Sequence, residues 1–168
     1  MAGKIRFGRI YIYKSIENTA RKDETEGVSC LVVDGTSTQS MFARTCPYVY
    51  CFHRTLQAAE NSEFGRFIVS VNSPRDLADD ITRVLPQLDE KFWGGVQGIF
   101  VEYTKGDSVS TIPSGEEMAR LNYAQKPGEF ELEEEFRMVV LSARNSNDYL
   151  PIDIGKPIND CSLLYSND

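Results

Sequence analysis

Glu131, Glu133, Glu135 and Arg137 stand at alternating positions in EFELEEEFRMVV, residues 129–140. On a strand, alternating residues share a face, so these four side chains would project together. Phe130, Leu132, Glu134, Phe136 and Met138 would occupy the other face. Glu133 and Glu135, two residues apart, can contact one ligand at once. One would hold its hydroxyls, and the other would stabilise a developing cation or accept a proton. Crowded carboxylates also raise one another's pKa, which suits acid–base work. The plain alternative is a solvated strand face on which Arg137 partly neutralises its neighbours. A helix competes locally, because Glu131–Glu135 and Glu133–Arg137 are i,i+4 pairs. The Pro127-Gly128 break before the segment and the apolar run after it favour a strand.

Other chemistry-bearing residues are sparse. His53 is the only histidine, two residues after Cys51. The two would share a strand face, but no third group is in place to orient a nucleophile pair. A lone His at a strand end is more often hydrogen-bonded structure than catalyst. Cys30, Cys46, Cys51 and Cys161 contain no CxxC pair, so no metal is expected, and free thiols buried in strands are. Asp23, Glu24 and Glu26 fall in a polar turn, and Trp93-Gly94-Gly95 reads as a buried aromatic beside a flexible loop. GxGxxG and the P-loop are both absent.

The elements that must position these residues are mostly short strands. IRFGRIYIYK, VSCLVVDG (28–35), PYVYCFH (47–53), GRFIVSV (65–71), 96–104 and DYLPIDIG carry strand composition. TSTQS reads as loop. Two modest helices interrupt them. Ser73, Pro74 and Asp76 form an N-terminal signature before Leu77, Ile81, Val84 and Leu85 at helical spacing. Ser114 and Glu117 have capping-box spacing in SGEEMARLNYA. Strands and helices do not alternate, which argues against a doubly wound parallel sheet. The expected fold is α+β: one compact domain over 1–168, with a bent or split, mainly antiparallel sheet.

The chain has 168 residues, enough for one domain with a real core. Acids outnumber bases 25 to 18, for a net charge of −7. That balance disfavours direct nucleic-acid binding, although Lys4, Arg6, Arg9 and Lys14 cluster near the start. No apolar run approaches the roughly 20 residues of a membrane span, and the N-terminus has no signal-peptide apolar region. A cytoplasmic protein is expected.

The order FGRIYIYKSIEN…RKDETEG, YCFH, EFGRFIVSV, VEYTKGD and KPGEFELEEEFRMVV resembles a set of uncharacterised bacterial and phage proteins, some associated with abortive infection. It also looks like the ADP-ribosyltransferase layout, in which a first-strand Arg or His contacts NAD and a late strand carries Glu-x-Glu. This resemblance implies that Glu135 engages the nicotinamide ribose and that Glu133 is the substrate-side acid. Arg6 or Arg9 would be the first-strand basic residue, and His53 stands near the place of an expected Ser. NAD or a related nucleotide is then the implied ligand, with an Arg gripping its pyrophosphate and Tyr11 or Tyr13 stacking on a ring. A carboxylate beneath the ribose would stabilise the charge that builds as the nicotinamide bond breaks. The protein would transfer ADP-ribose to a protein or nucleic acid, or hydrolyse the glycosidic bond. The competing function is a non-catalytic defence module that uses its acidic face on a basic partner.

Overall fold

The computed structural model describes residues 3–12, 28–33, 36–41, 46–62, 67–104, 108–109, 114–143, 147–158 and 161–166. The strands among the described residues are β1 (Lys4–Arg9), β2 (Val28–Val33), β3 (Thr36–Met41), β4 (Cys46–His53), β5 (Phe67–Val71), β6 (Phe92–Phe100), β7 (Ser108–Val109), β8 (Glu135–Ser142), β9 (Tyr149–Asp153) and β10 (Cys161–Ser166). Helices among these residues include α1 (Leu56–Asn61), α2 (Pro74–Val84) and α3 (Gly115–Ala124). A curled antiparallel sheet runs β6-β8-β4-β1-β9, a ribbon pairs β10 with β5, and a third sheet runs β3-β2-β7. Among the described residues, β2–β7 is the only parallel pairing between strands. The expected mixed, sheet-rich class with a split and mainly antiparallel sheet is the observed one.

Register assigns the side chains of the five-stranded sheet to two faces. Val49 opposes Val139, Cys51 opposes Arg137 and His53 opposes Glu135 across β4–β8, so these six share one face. Ile10, Ile99, Tyr123 and Ala124 pack with Val49 and Val139 there. The opposite face carries Phe7, Tyr48, Met138, Val140, Leu150 and Ile152, covered by Leu77 and Ile81 of α2. The capping expected for α2 forms, with Ser73 Oγ accepting from the Asp76 N–H at 3.3 Å. Ser114 Oγ likewise accepts from the Glu117 N–H, at 3.2 Å, to start α3.

Several expectations are corrected. TSTQS is not loop but most of β3, fully registered on β2. Trp93 is exposed rather than buried, and Trp93-Gly94-Gly95 lies within β6 at a break in its register with β8. Gly94 has φ +73, and a Cβ on Gly95 would meet the Thr82 side chain at 2.7 Å. Residues 128–133 form a 3-10 turn, so the acidic segment becomes a strand only at Glu135. Glu134 joins turn to strand in the left-handed region, at φ 43. Tyr13 and the polar turn around Asp23 lie outside the described residues.

The sheet is split beside its centre. β4 pairs with β8 along all eight of its residues. It pairs with β1 only at Gly8↔Val49 and Arg9↔Tyr48, while β1 runs with β9 over five pairs. Among the described residues, β4 has β8 on one side from Tyr50 to His53 and no paired strand on the other.

Met138 sits 1% exposed in the core beneath α2. Met138→Ala is expected to cost ~2–5 kcal/mol in denaturant unfolding. Leu132→Ala, at a side chain 82% exposed, is expected to stay within ~0.5 kcal/mol.

Candidate functional site

A cavity of about 1000 Å³ opens at the split, at the upper end of the usual size for small-molecule sites. Its walls come from the unpaired end of β4, the start of β1, the β5–β10 ribbon and α1. Tyr50, Phe52, Phe100 and Phe136 supply aromatic surface, and Arg6, Arg54, Lys126 and Arg137 supply cations. Cys51, His53, Glu133 and Glu135 line it as well. Because the space passes through a gap in the sheet, side chains from both faces reach it.

The floor is a buried set of four charges. Arg137 donates from Nε to Glu135 Oε1 at 2.7 Å and from a terminal nitrogen to Oε2 at 3.1 Å. Lys126 Nζ lies 3.0 Å from Glu135 Oε2 and 2.7 Å from Glu133 Oε2. Arg137 also donates to the Tyr123 carbonyl, at 3.0 Å. Two cations thus balance two carboxylates. The backbone fixes the arrangement: the Glu135 N–H donates to the Tyr103 hydroxyl at 2.7 Å. The Lys126 N–H donates to the Glu102 carbonyl at 3.0 Å. Pro127-Gly128 and the 3-10 turn then fold the chain back, bringing Glu133 onto the same lysine.

Burial pushes the Glu135 carboxyl up, but the charges of Arg137 and Lys126 and the hydrogen bonds from Arg137 and Cys51 outweigh it. Together they hold the carboxyl down at about 2. The same surroundings act in reverse on Cys51, where burial and the neighbouring Glu135 carboxylate push the thiol well above its ordinary value. Cys51 is therefore a protonated thiol, not an activated nucleophile. His53 Nδ1 lies 2.8 Å from the Glu133 carbonyl oxygen.

The structure brings together some of the expected site residues and separates others. Glu133, Glu135, His53 and Arg6 line one cavity. Arg6 also lies over the Tyr149 ring, its guanidinium carbon 4.5 Å from the centroid. Arg9 is on the opposite face, fully buried, with its guanidinium stacked 3.8 Å over Tyr48 and bonded to the Tyr48 hydroxyl at 2.9 Å. It donates to the Asn147 carbonyl at 2.9 Å and contacts Glu90 at 3.3 Å. Ser142 donates to the same Glu90 carboxylate, and the phenol of Tyr48 is pushed up to about 12, chiefly by burial. This cluster ties the far end of the sheet together. Tyr11 lies beyond it, exposed and donating to Asp148 Oδ1 at 2.6 Å. Lys126 and Arg54 are site residues that sequence reasoning missed. The one signal of Lys126 is a basic residue just before a Pro-Gly turn that leads into a run of acids.

Among the described residues, no group of three His, Cys, Asp or Glu side chains is placed to hold a metal ion. No helix among them is long and apolar enough to cross a membrane.

The low pKa of Glu135 makes stability depend on pH with a definite sign. The folded value of about 2 lies below the ordinary 4.5, so the stabilisation is fully present above pH 4.5 and lost as pH falls toward 2. A gap of that size corresponds to ~3 kcal/mol. Denaturant unfolding across this window is expected to show that loss in the wild type. Glu135→Gln should be less stable at neutral pH and flatter below pH 4.5; equal acid slopes in the two proteins would contradict the assignment. The chain matches no family model, and neither a curated protein nor a solved structure matches it.

Proposed function

We propose that the cavity binds NAD or a related phosphate-bearing nucleotide, and that the protein is an ADP-ribosyltransferase-like enzyme acting in phage–host conflict. Glu135 would stabilise the ribose cation as the nicotinamide bond breaks. ADP-ribose would then pass to a protein or nucleic acid, or to water. The observation that carries this reading is the placement of Glu135, ionised, on the floor of a concave cavity with Arg6, rather than on a flat outer surface. A carboxylate that stays charged at every physiological pH suits the stabilisation of a sugar cation, not proton donation. The aromatic walls suit stacking on rings, and Arg6 and Arg54 suit phosphate oxygens. Arg6, rather than Arg9, is the first-strand arginine of this proposal. The cytoplasm is the compartment where such a ligand is met.

A second reading rests on the outer surface of the 3-10 turn. Glu129 and Glu131 are exposed there beside Leu132, a surface suited to a basic protein partner with no turnover. It draws support from Glu135 itself, both of whose oxygens already accept bonds from Arg137.

The test is NAD binding by calorimetry and nicotinamide release by chromatography, wild type beside Glu135→Gln, with circular dichroism to check folding. Release by the wild type that falls ~100-fold or more in the folded variant is the expected result. Neither binding nor release, with NAD and with a panel of other nucleotides, would remove the enzyme reading and leave the acidic turn as the working surface.

A further inference from the structure

We propose that His53 is the proton acceptor for the attacking group, and that this group is a neutral hydroxyl rather than a cationic side chain. The proposal rests on the NAD-cleaving reading above and specifies its acceptor.

The carbonyl oxygen of Glu133 can only accept a hydrogen bond. His53 Nδ1, 2.8 Å away, must therefore carry the proton of that contact. In the neutral ring this leaves Nε2 with its lone pair bare, and among the described residues no hydrogen bond engages it. His53 lines the cavity and stands directly opposite Glu135 in the β4–β8 register. Directly opposed residues of an antiparallel pair have Cβ atoms ~5 Å apart. A base and a cation-stabilising carboxylate thus stand side by side at one end of the cavity. The charged and titratable groups that line the cavity with His53 are Cys51, Arg54 and Tyr50 on its own strand and just beyond it, Glu135 and Arg137 on β8, Glu133 on the turn, Lys126, Arg6 and Cys161.

The same geometry argues against a guanidinium or ammonium acceptor. Such a group would need a carboxylate to hold it. Glu133 already binds Lys126 at 2.7 Å, and Glu135 binds both Lys126 and Arg137. A second cation placed there would meet two resident ones. A hydroxyl carries no charge and needs only to lose its proton as it attacks. The step balances as follows: the hydroxyl oxygen forms a bond to the ribose C1′, and the C1′–nitrogen bond breaks. Its electron pair neutralises the departing nicotinamide, and the hydroxyl proton goes to His53 Nε2 and then to water.

Two measurements test this, and the single histidine of the chain leaves the spectrum of the first free of overlap. First, a long-range ¹⁵N–¹H correlation spectrum of histidine-labelled protein is expected to show a protonated Nδ1 and a bare Nε2. The reverse tautomer would overturn the proposal whether or not the protein is active. Second, nicotinamide release is followed against pH with peptides whose only acceptor is serine or arginine. The variant His53→Asn keeps a donor for the Glu133 carbonyl and removes the base. The wild type should modify the serine peptide. His53→Asn should lose ~10²–10⁴-fold in kcat and change the pH profile. Arginine modification, or an unchanged profile in the variant, would overturn this proposal while leaving NAD cleavage standing. No release by the wild type would overturn this proposal; the further absence of binding, with NAD and with the panel of other nucleotides, would overturn the NAD reading as well.

Discussion

The two-pronged ion pair between Arg137 and Glu135 is the interaction on which the other arrangements turn. Both side chains are almost fully buried, and a buried charge without a partner is far more costly than an unmade hydrogen bond. Once β8 places Arg137 against the Tyr123 carbonyl, a carboxylate must reach it, and Glu135 does so from two residues away. Lys126 adds a second cation, which calls for a second carboxylate, and the 3-10 turn delivers Glu133. The left-handed Glu134 belongs to the same logic. Its strain is offset by its own contacts: its carbonyl accepts from the Arg54 N–H at 2.9 Å and its carboxylate accepts from Thr55. Turn, strand start and the foot of α1 are thereby fastened as one unit.

That unit holds one rim of the split in the sheet. The short β1–β4 pairing leaves the end of β4 exposed to the cavity, while β8 on its other side keeps it rigid. The cluster of Arg9, Tyr48, Glu90 and Ser142 performs the matching task at the far end, where β1 and β4 remain joined. The two arginines that looked equivalent in the sequence therefore do opposite work. Arg9 closes the sheet, and Arg6 lies on the open side.

What could be read from the sequence follows the range of the interactions involved. The caps at Ser73 and Ser114 depend on residues three positions away, so their spacing was enough. The strand character of 47–53 and of the run after Glu135 came from β-branched and aromatic content. TSTQS reads as loop from its Ser and Thr content, and only its pairing with β2 makes it a strand. Strand alternation brings Glu133 and Glu135 together in one of the two readings of the segment, whereas in the structure a tight turn and one left-handed residue do so. Lys126 could not be recognised, because its role requires the chain to return over itself after Pro127-Gly128. Choosing between Arg6 and Arg9 required the register of three strands, which no local pattern encodes.

The four buried charges of the floor cancel, two against two, while the whole chain carries a net charge of −7. An anionic ligand approaching from solution would therefore feel the acidic exterior at long range, and the pull of Arg6 and Arg54 at the cavity only within about a screening length. Added salt shortens the reach of the repulsion, with a screening length of ~10 Å at 0.1 M, and leaves buried contacts nearly untouched. Encounter with such a ligand would then quicken as ionic strength rises, opposite in sense to proteins that draw their ligands in with a field of complementary charge.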